Sequence, residues 1–203
     1  MNNHKMLAIF GCSLLLAHFQ LHAQTDVPEG GSTFQSGVVL GFNASQLDGD
    51  GLAGYNKLGL VAGLSGGFYI SENWNIRLEM LFSQKGSKIR DNKITQGDVP
   101  FRIHLNFLEV PLAVSYDFGS WAAEGGLTYA RLIGAKTEAS ALTKNDFKQN
   151  DFGFLLGIGY RFDESWGASA RFSRSLTDIV NHSALNTNGL YGHLFSLRAN
   201  YYF

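Results

Sequence analysis

Large apolar residues recur at every second position over long stretches of this chain. From Leu58 to Ile70, one parity carries Leu58, Leu60, Ala62, Leu64, Gly66, Phe68 and Ile70, and the other carries Gly59, Val61, Gly63, Ser65, Gly67 and Tyr69. From Trp74 to Gln84, Trp74, Ile76, Leu78, Met80 and Phe82 oppose Asn75, Arg77, Glu79 and Ser83. A strand sends successive side chains to opposite faces, so period two predicts strands with one oily face and one small or polar face. Eight such segments are expected: Phe34 to Ser45, Leu58 to Ile70, Trp74 to Gly86, Ile103 to Phe118, Trp121 to Ile133, Asp151 to Phe162, Trp166 to Ser175 and Tyr191 to Phe203. Most exceed the roughly 9 to 11 residues with which a tilted strand crosses a hydrocarbon layer. In the fourth segment the oily parity changes from Ile103, Leu105 and Phe107 to Leu108, Val110 and Leu112, which predicts a bulge near Phe107 and Leu108.

The connections alternate in length. "SEN" (Ser71 to Asn73), "GS" (Gly119 to Ser120) and "DES" (Asp163 to Ser165) are short, whereas Gln46 to Lys57, Ser87 to Arg102, Gly134 to Asn150 and Leu176 to Leu190 are long. Short turns at one end and long loops at the other predict an all-β fold: an eight-stranded antiparallel up-and-down transmembrane β-barrel with short periplasmic turns and long extracellular loops. All three tryptophans, Trp74, Trp121 and Trp166, directly follow the short turns, and Tyr69, Phe118 and Phe162 shortly precede them. These six are expected to form an aromatic girdle at the periplasmic interface, where rings with a polar edge favour the headgroup level.

Charge placement distinguishes a membrane barrel from a soluble one. The oily parity is free of charge in its central stretches; Arg131 and Arg174 fall near the loop ends and His193 is the one polar outlier. The opposite parity carries Arg77, Glu79, Glu109, Glu124, Arg161, Arg171 and Arg198. A soluble ligand-binding barrel inverts this pattern, with oil inside and charge outside. Counted from the tryptophans and Phe203, Arg77 and Glu124 lie three residues up their strands, and Glu79, Arg171 and Arg198 lie five up. Opposite charges at similar depth in a barrel just wide enough for side chains to fill predict a salt-bridged plug. A narrow polar path or a proton-linked site is the competing reading, and neither reading makes this an open pore.

Composition narrows function further. A net charge of -1 over 203 residues gives no reason to expect nucleic acid. The apolar run Met6 to Phe19 after Lys5, followed by "LHAQ", reads as a signal peptide cleaved after Ala23. This divides the chain into a leader (1–23), an N-terminal extension (24–33) and a barrel (34–203). Cys12, the only cysteine, lies too early for lipidation, so a mature chain holds no disulfide or cysteine-ligated metal. "DGDG" (Asp48 to Gly51) lacks the downstream Glu of a calcium loop and reads as a turn. His104, His182 and His193, with Asp178 and Ser183, lie toward the long loops, where a barrel enzyme would place its site. No nucleophile elbow, paired-carboxylate spacing or histidine metal motif accompanies them, so no catalytic residue, cofactor or metal is expected. The ending "LRANYYF", with Tyr201 and Phe203, resembles the C-terminal signal by which outer-membrane barrels are recognised for insertion. Arg198 stands where that signal often has glycine.

The segments "GVVLGFNAS", "ISENWNIRLEMLFSQKGSK", "LNFLEVPLAVSYDF", "FGFLLGIGYRF" and "ASARFSRSLTDI", with the closing aromatics, run in order from about Phe34 to Phe203. Together they resemble the outer-membrane β-barrel domain of PorT-type proteins, a porin-like family common in Bacteroidetes. "LNFLEVPL" and "FSQKG" are the more specific parts. The resemblance implies an outer-membrane barrel, in a family whose founding member is linked to type IX secretion and gliding. The expected partners are outer-membrane lipid, the barrel-assembly machinery and proteins meeting the outer loops, around a monomer. Cell fractionation tests the membrane reading: the protein should need detergent for extraction, and recovery in the soluble periplasm would reject it.

Overall fold

A computed structural model describes residues 34–48, 57–88, 102–137, 147–178 and 191–203. The expected leader and N-terminal extension, Cys12, His182, Ser183 and most of the "DGDG" turn lie outside the described residues. Eight antiparallel strands close into one barrel in chain order: β1 (Phe34–Asp48), β2 (Lys57–Tyr69), β3 (Trp74–Lys88), β4 (Arg102–Phe118), β5 (Trp121–Thr137), β6 (Asn150–Arg161), β7 (Trp166–Ser175) and β8 (Tyr191–Tyr202). The strands agree with the sequence expectation to within one residue except at the loop ends of β1, β3 and β5, which run on by two to four residues.

The register fixes the shape. Starting at Phe34, the paired residues are Phe68, Ile76, Val114, Gly125, Leu156, Phe172 and Phe195, and the circuit returns to β1 at Ala44, ten residues along from its origin. With strands roughly 4.8 Å apart and a rise of about 3.3 Å per residue, that stagger tilts the strands by about 40° and sets a barrel radius of roughly 8 Å. Every member of this circuit except Gly125 and Ala44 is a large apolar residue.

The parity rule carries through. Leu64 is 61 % exposed and Leu112 51 %, while Glu79 and Arg171 are 2 % and 3 % exposed. So extensive an apolar outer surface is incompatible with water and suits hydrocarbon. Each Trp lies opposite a Tyr on the next strand: Trp74 with Tyr116, Trp121 with Tyr160 and Trp166 with Tyr201, with ring centroids 5.0, 4.9 and 4.9 Å apart. Phe118 and Phe162 also face outward at this end. Tyr69 does not join the girdle. Its parity points it into the barrel mouth, where its hydroxyl donates to Asp117 Oδ2 at 2.9 Å, and Phe68 takes the outward place against Phe34.

The turns are fixed locally. Gly119 has φ of 72°, the left-handed conformation that glycine supplies to a two-residue hairpin. Asp163 Oδ1 accepts from the backbone N–H groups of Ser165 and Trp166 at 2.8 and 2.7 Å.

The expected bulge is displaced. A register shift does occur at Asn106 and Phe107, but the additional residue, Ile133, belongs to β5. Strand β4 keeps one parity throughout, so Ile103, Leu105 and Phe107 are buried inside the barrel. There they pack with Ala130, Leu132 and Phe147 into an apolar cluster at the loop end. One further irregularity lies opposite Pro111, which has no N–H to give: the β3–β4 pairing lapses at Glu79 and Met80.

Lipid exposure makes a graded prediction. Leu112→Arg, near mid-height, should cost about 2–4 kcal/mol, and Leu58→Arg, at the loop end of β2, about 0–1 kcal/mol. Denaturant unfolding in lipid vesicles measures both, and equal costs would contradict a membrane-spanning placement.

Candidate functional site

Five of the seven expected lumen charges meet. The Arg171 guanidinium lies between two carboxylates, donating through Nη1 and Nη2 to Glu79 at 2.7 and 3.1 Å and through Nε and Nη2 to Glu124 at 2.8 and 3.0 Å. Arg198 completes a square, donating through Nη1 to Glu79 Oε2 and through Nη2 to Glu124 Oε1, both at 3.1 Å, and through Nε to Ser169 Oγ at 3.2 Å. Arg77 stands at its edge, with Nη1 3.8 Å from Glu124 Oε2. Both forks of Arg171 are engaged, the geometry in which an arginine–carboxylate pair is strongest.

Small neighbours make room for these long side chains. Gly157 lies in register between Glu124 and Arg171, and a Cβ there would come within 2.5 Å of Glu124 Oε1. Arg198 is paired with Gly41 and Ser169, and Glu79 with Ser65. A run of small residues on the inner parity is therefore what lets charges from β3, β5, β7 and β8 converge across the lumen.

The other two expected members lie elsewhere. Arg161 sits at the short-turn mouth, where its Nη2 donates to Gln35 at 3.0 Å and Tyr69 at 3.3 Å and its guanidinium lies 4.6 Å from the Tyr202 ring centre. Glu109 lies nearer the loops and pairs with Lys85, which also approaches Asp151 at 4.0 Å and the Phe107 ring at 5.0 Å. Asp151 accepts from Ser175 at 2.7 Å and Thr177 at 2.9 Å. The sequence reading missed this second cluster. Lys85 and Asp151 share the inner parity of the other charges, and that was the signal available.

Between the clusters lies a collar in which Val61, Leu81, Pro111 and Leu155, all buried, stand beside the polar Asn43, Thr128 and Ser196. The space remaining there is about 10 Å³, room for about one water. Below the square, a cavity of about 40 Å³ opens toward the short turns. A polar belt of Asn43, Ser83 and Ser196 ties β1 to β3 and β8: Asn43 Nδ2 donates to Ser83 Oγ at 2.9 Å and Ser196 Oγ donates to Asn43 Oδ1 at 2.8 Å.

The histidines do not converge. His104 faces outward on β4, and His193 outward on β8 against Phe172, so these strands set them on different sides of the barrel. At the C-terminus, Tyr201 pairs with Trp166 and Val38, and the Phe203 N–H donates to Ser36 O at 3.0 Å. The two residues of the expected insertion signal thus lie at the seam where β8 closes on β1.

A family model described as outer membrane protein beta-barrel domain matches residues 22–181. Among solved structures, the chain is similar to the attachment invasion locus protein of Yersinia pestis, at 11 % identity and TM-score 0.49 over 84 % of this chain and 99 % of that one. It is also similar to Neisserial surface protein A, at 12 % identity and TM-score 0.49 over 85 % and 99 %. The outer membrane protein OprG from Pseudomonas aeruginosa aligns at 16 % identity and TM-score 0.43 over 88 % and 99 %. No curated protein matches the sequence.

Removing one partner from the square strands the others. Arg171→Ala leaves Glu79 and Glu124 to share Arg198 and should cost about 3–5 kcal/mol in unfolding. Combined with Glu79→Ala, the loss should fall short of the sum of the two single losses by about 0.5–3 kcal/mol in a double-mutant cycle. Strict additivity would show that the pair does not act as a unit.

Proposed function

The chain belongs to the outer membrane protein β-barrel domain family, and on that premise we propose that it is a non-catalytic, monomeric outer-membrane protein with a closed lumen, acting as a scaffold for interactions through its outer loops. The closing of the lumen carries this reading: the Arg171–Arg198–Glu79–Glu124 square lies between a 40 Å³ vestibule and a 10 Å³ remnant. Buried charges so fully paired suit a plug better than a conduit, because a passing ion or solute would have to replace every one of these contacts.

Orientation follows from the aromatic end. The Trp–Tyr pairs define the periplasmic headgroup level, with the short turns in the periplasm. The outward Arg131 and Arg174 stand ten and eight residues up their strands from Trp121 and Trp166. At about 2.5 Å of axial rise per residue they lie roughly 20 to 25 Å above that level, matching an apolar band about 25 Å tall. Their side chains thereby reach the outer headgroups. An exported precursor delivered to the barrel-assembly machinery, with Tyr201 and Phe203 as the recognised end, completes the route to the membrane. The motif resemblance to PorT-type barrels supports protein partners connected with secretion.

Planar-bilayer recordings of the purified protein test the plug. The expected record is free of steady conductance, and a large steady conductance would overturn the closed-lumen reading.

A further inference from the structure

The vestibule beneath the square has an unbalanced charge. From the short turns up to the square, the inward side chains supply four cations, Arg77, Arg161, Arg171 and Arg198, against three carboxylates, Glu79, Asp117 and Glu124. Arg171 is saturated by the two glutamates, Arg198 by the same glutamates and Ser169, and Arg161 is held by Gln35, Tyr69 and the Tyr202 ring. Arg77 remains. Its side chain is 12 % exposed, and its one ion pair among the described residues is the 3.8 Å approach to Glu124, whose oxygens already accept from Arg171 and Arg198.

A second observation points to the same place. Ser115, 2 % exposed, lines the 40 Å³ cavity together with Arg77, and its Oγ has no hydrogen-bond partner among the described residues. Directly opposite on β3, Asn75 is 1 % exposed and its side-chain amide is likewise unpartnered. Buried polar groups are nearly always satisfied, and of these two Ser115 shares the cavity lining with the Arg77 guanidinium. The space admits about three water-sized particles, enough for a halide or one carboxylate and too little for a sugar acid.

From these features we infer that the vestibule binds one small monovalent anion, a halide or a single carboxylate, held by the Arg77 guanidinium and the Ser115 hydroxyl and entering from the short-turn side. The site is independent of whether the lumen conducts, because it lies below the square. Charge balance and donor supply then agree: one negative charge neutralises the lower lumen and accepts from the donors the barrel leaves idle.

The test uses purified full-length protein in detergent. Its thermal unfolding midpoint is measured at fixed ionic strength while sodium gluconate, too bulky for the cavity, is replaced stepwise by chloride or by acetate. The expected result is a saturable rise with chloride, with acetate, or with both, the responding salt naming the source of the anion. Arg77→Gln and Ser115→Ala should each weaken the apparent affinity about tenfold or more. Identical midpoints in all three salts, or titrations unchanged in both variants, would overturn the site. Should Arg77→Gln fail to fold, Ser115→Ala and anomalous diffraction from bromide-soaked crystals of the unaltered protein decide: a peak between Arg77 and Ser115 supports it, and its absence there refutes it.

Discussion

Hydrocarbon offers a backbone no hydrogen bonds, and the rest of this molecule depends on that constraint. Every N–H and C=O at membrane depth must find its partner on a neighbouring strand, and the sheet can have no free edge. Closure of β8 on β1 satisfies this, and the ten-residue stagger it imposes fixes which residues share a height. Once register is set, side-chain parity has no freedom left. Leu64, Leu112 and Phe195 then face lipid, and Glu79, Asn43 and Arg198 face inward, as a consequence of the same ladder.

The inward charges are the costly part of the design. Desolvating an ion pair commonly offsets its Coulomb attraction, so the square adds little stability over a well-packed apolar core. What it adds is geometry. Glu79 on β3 is joined to Arg171 on β7 and Arg198 on β8, strands that do not neighbour β3 in the barrel. Ladder bonds connect each strand only to the next, whereas these bonds brace the barrel across its diameter. Gly157 and the small residues beside Arg198 show that the backbone leaves space for this crossing. An interior filled by alkyl chains would close equally well but would not specify which strands stand opposite.

Alternation made the strands, the three turns and the membrane-facing surface legible in the sequence, because all of them are local. The depth of Arg77, Glu79, Glu124, Arg171 and Arg198 was legible too, since counting from the tryptophans approximates axial height. Tyr69 was misplaced because proximity to a turn outweighed its odd position, one residue out of phase with the outward Phe68. Ile103, Leu105 and Phe107 misled for a different reason. Apolar residues can occupy the inside of a barrel when they meet one another there, and their partners Leu132 and Phe147 come from β5 and the segment after it. Placing Ile133 as the bulged residue required pairing information that a single strand does not carry. The Lys85 cluster was hidden similarly: Glu109 and Asp151 become its neighbours only through the register of β3 to β6.

Closure and bracing are separable properties of this lumen. The square fills the lumen with paired charges, and above it the collar around Val61, Leu81, Pro111 and Leu155 leaves space for about one water. Asn43, Thr128 and Ser196 line this space beside the alkyl side chains, so its narrowness, not its dryness, is what limits a file of water. The collar also isolates two charge layers of opposite imbalance. Above it Lys85 faces Glu109 and Asp151, and the surplus negative charge is met by the hydroxyls of Ser175 and Thr177. Below it the inward surplus is positive, and among the described residues Arg77 has only the 3.8 Å approach to Glu124 to meet it. The collar holds the two layers apart, so each is balanced chiefly by partners at its own depth.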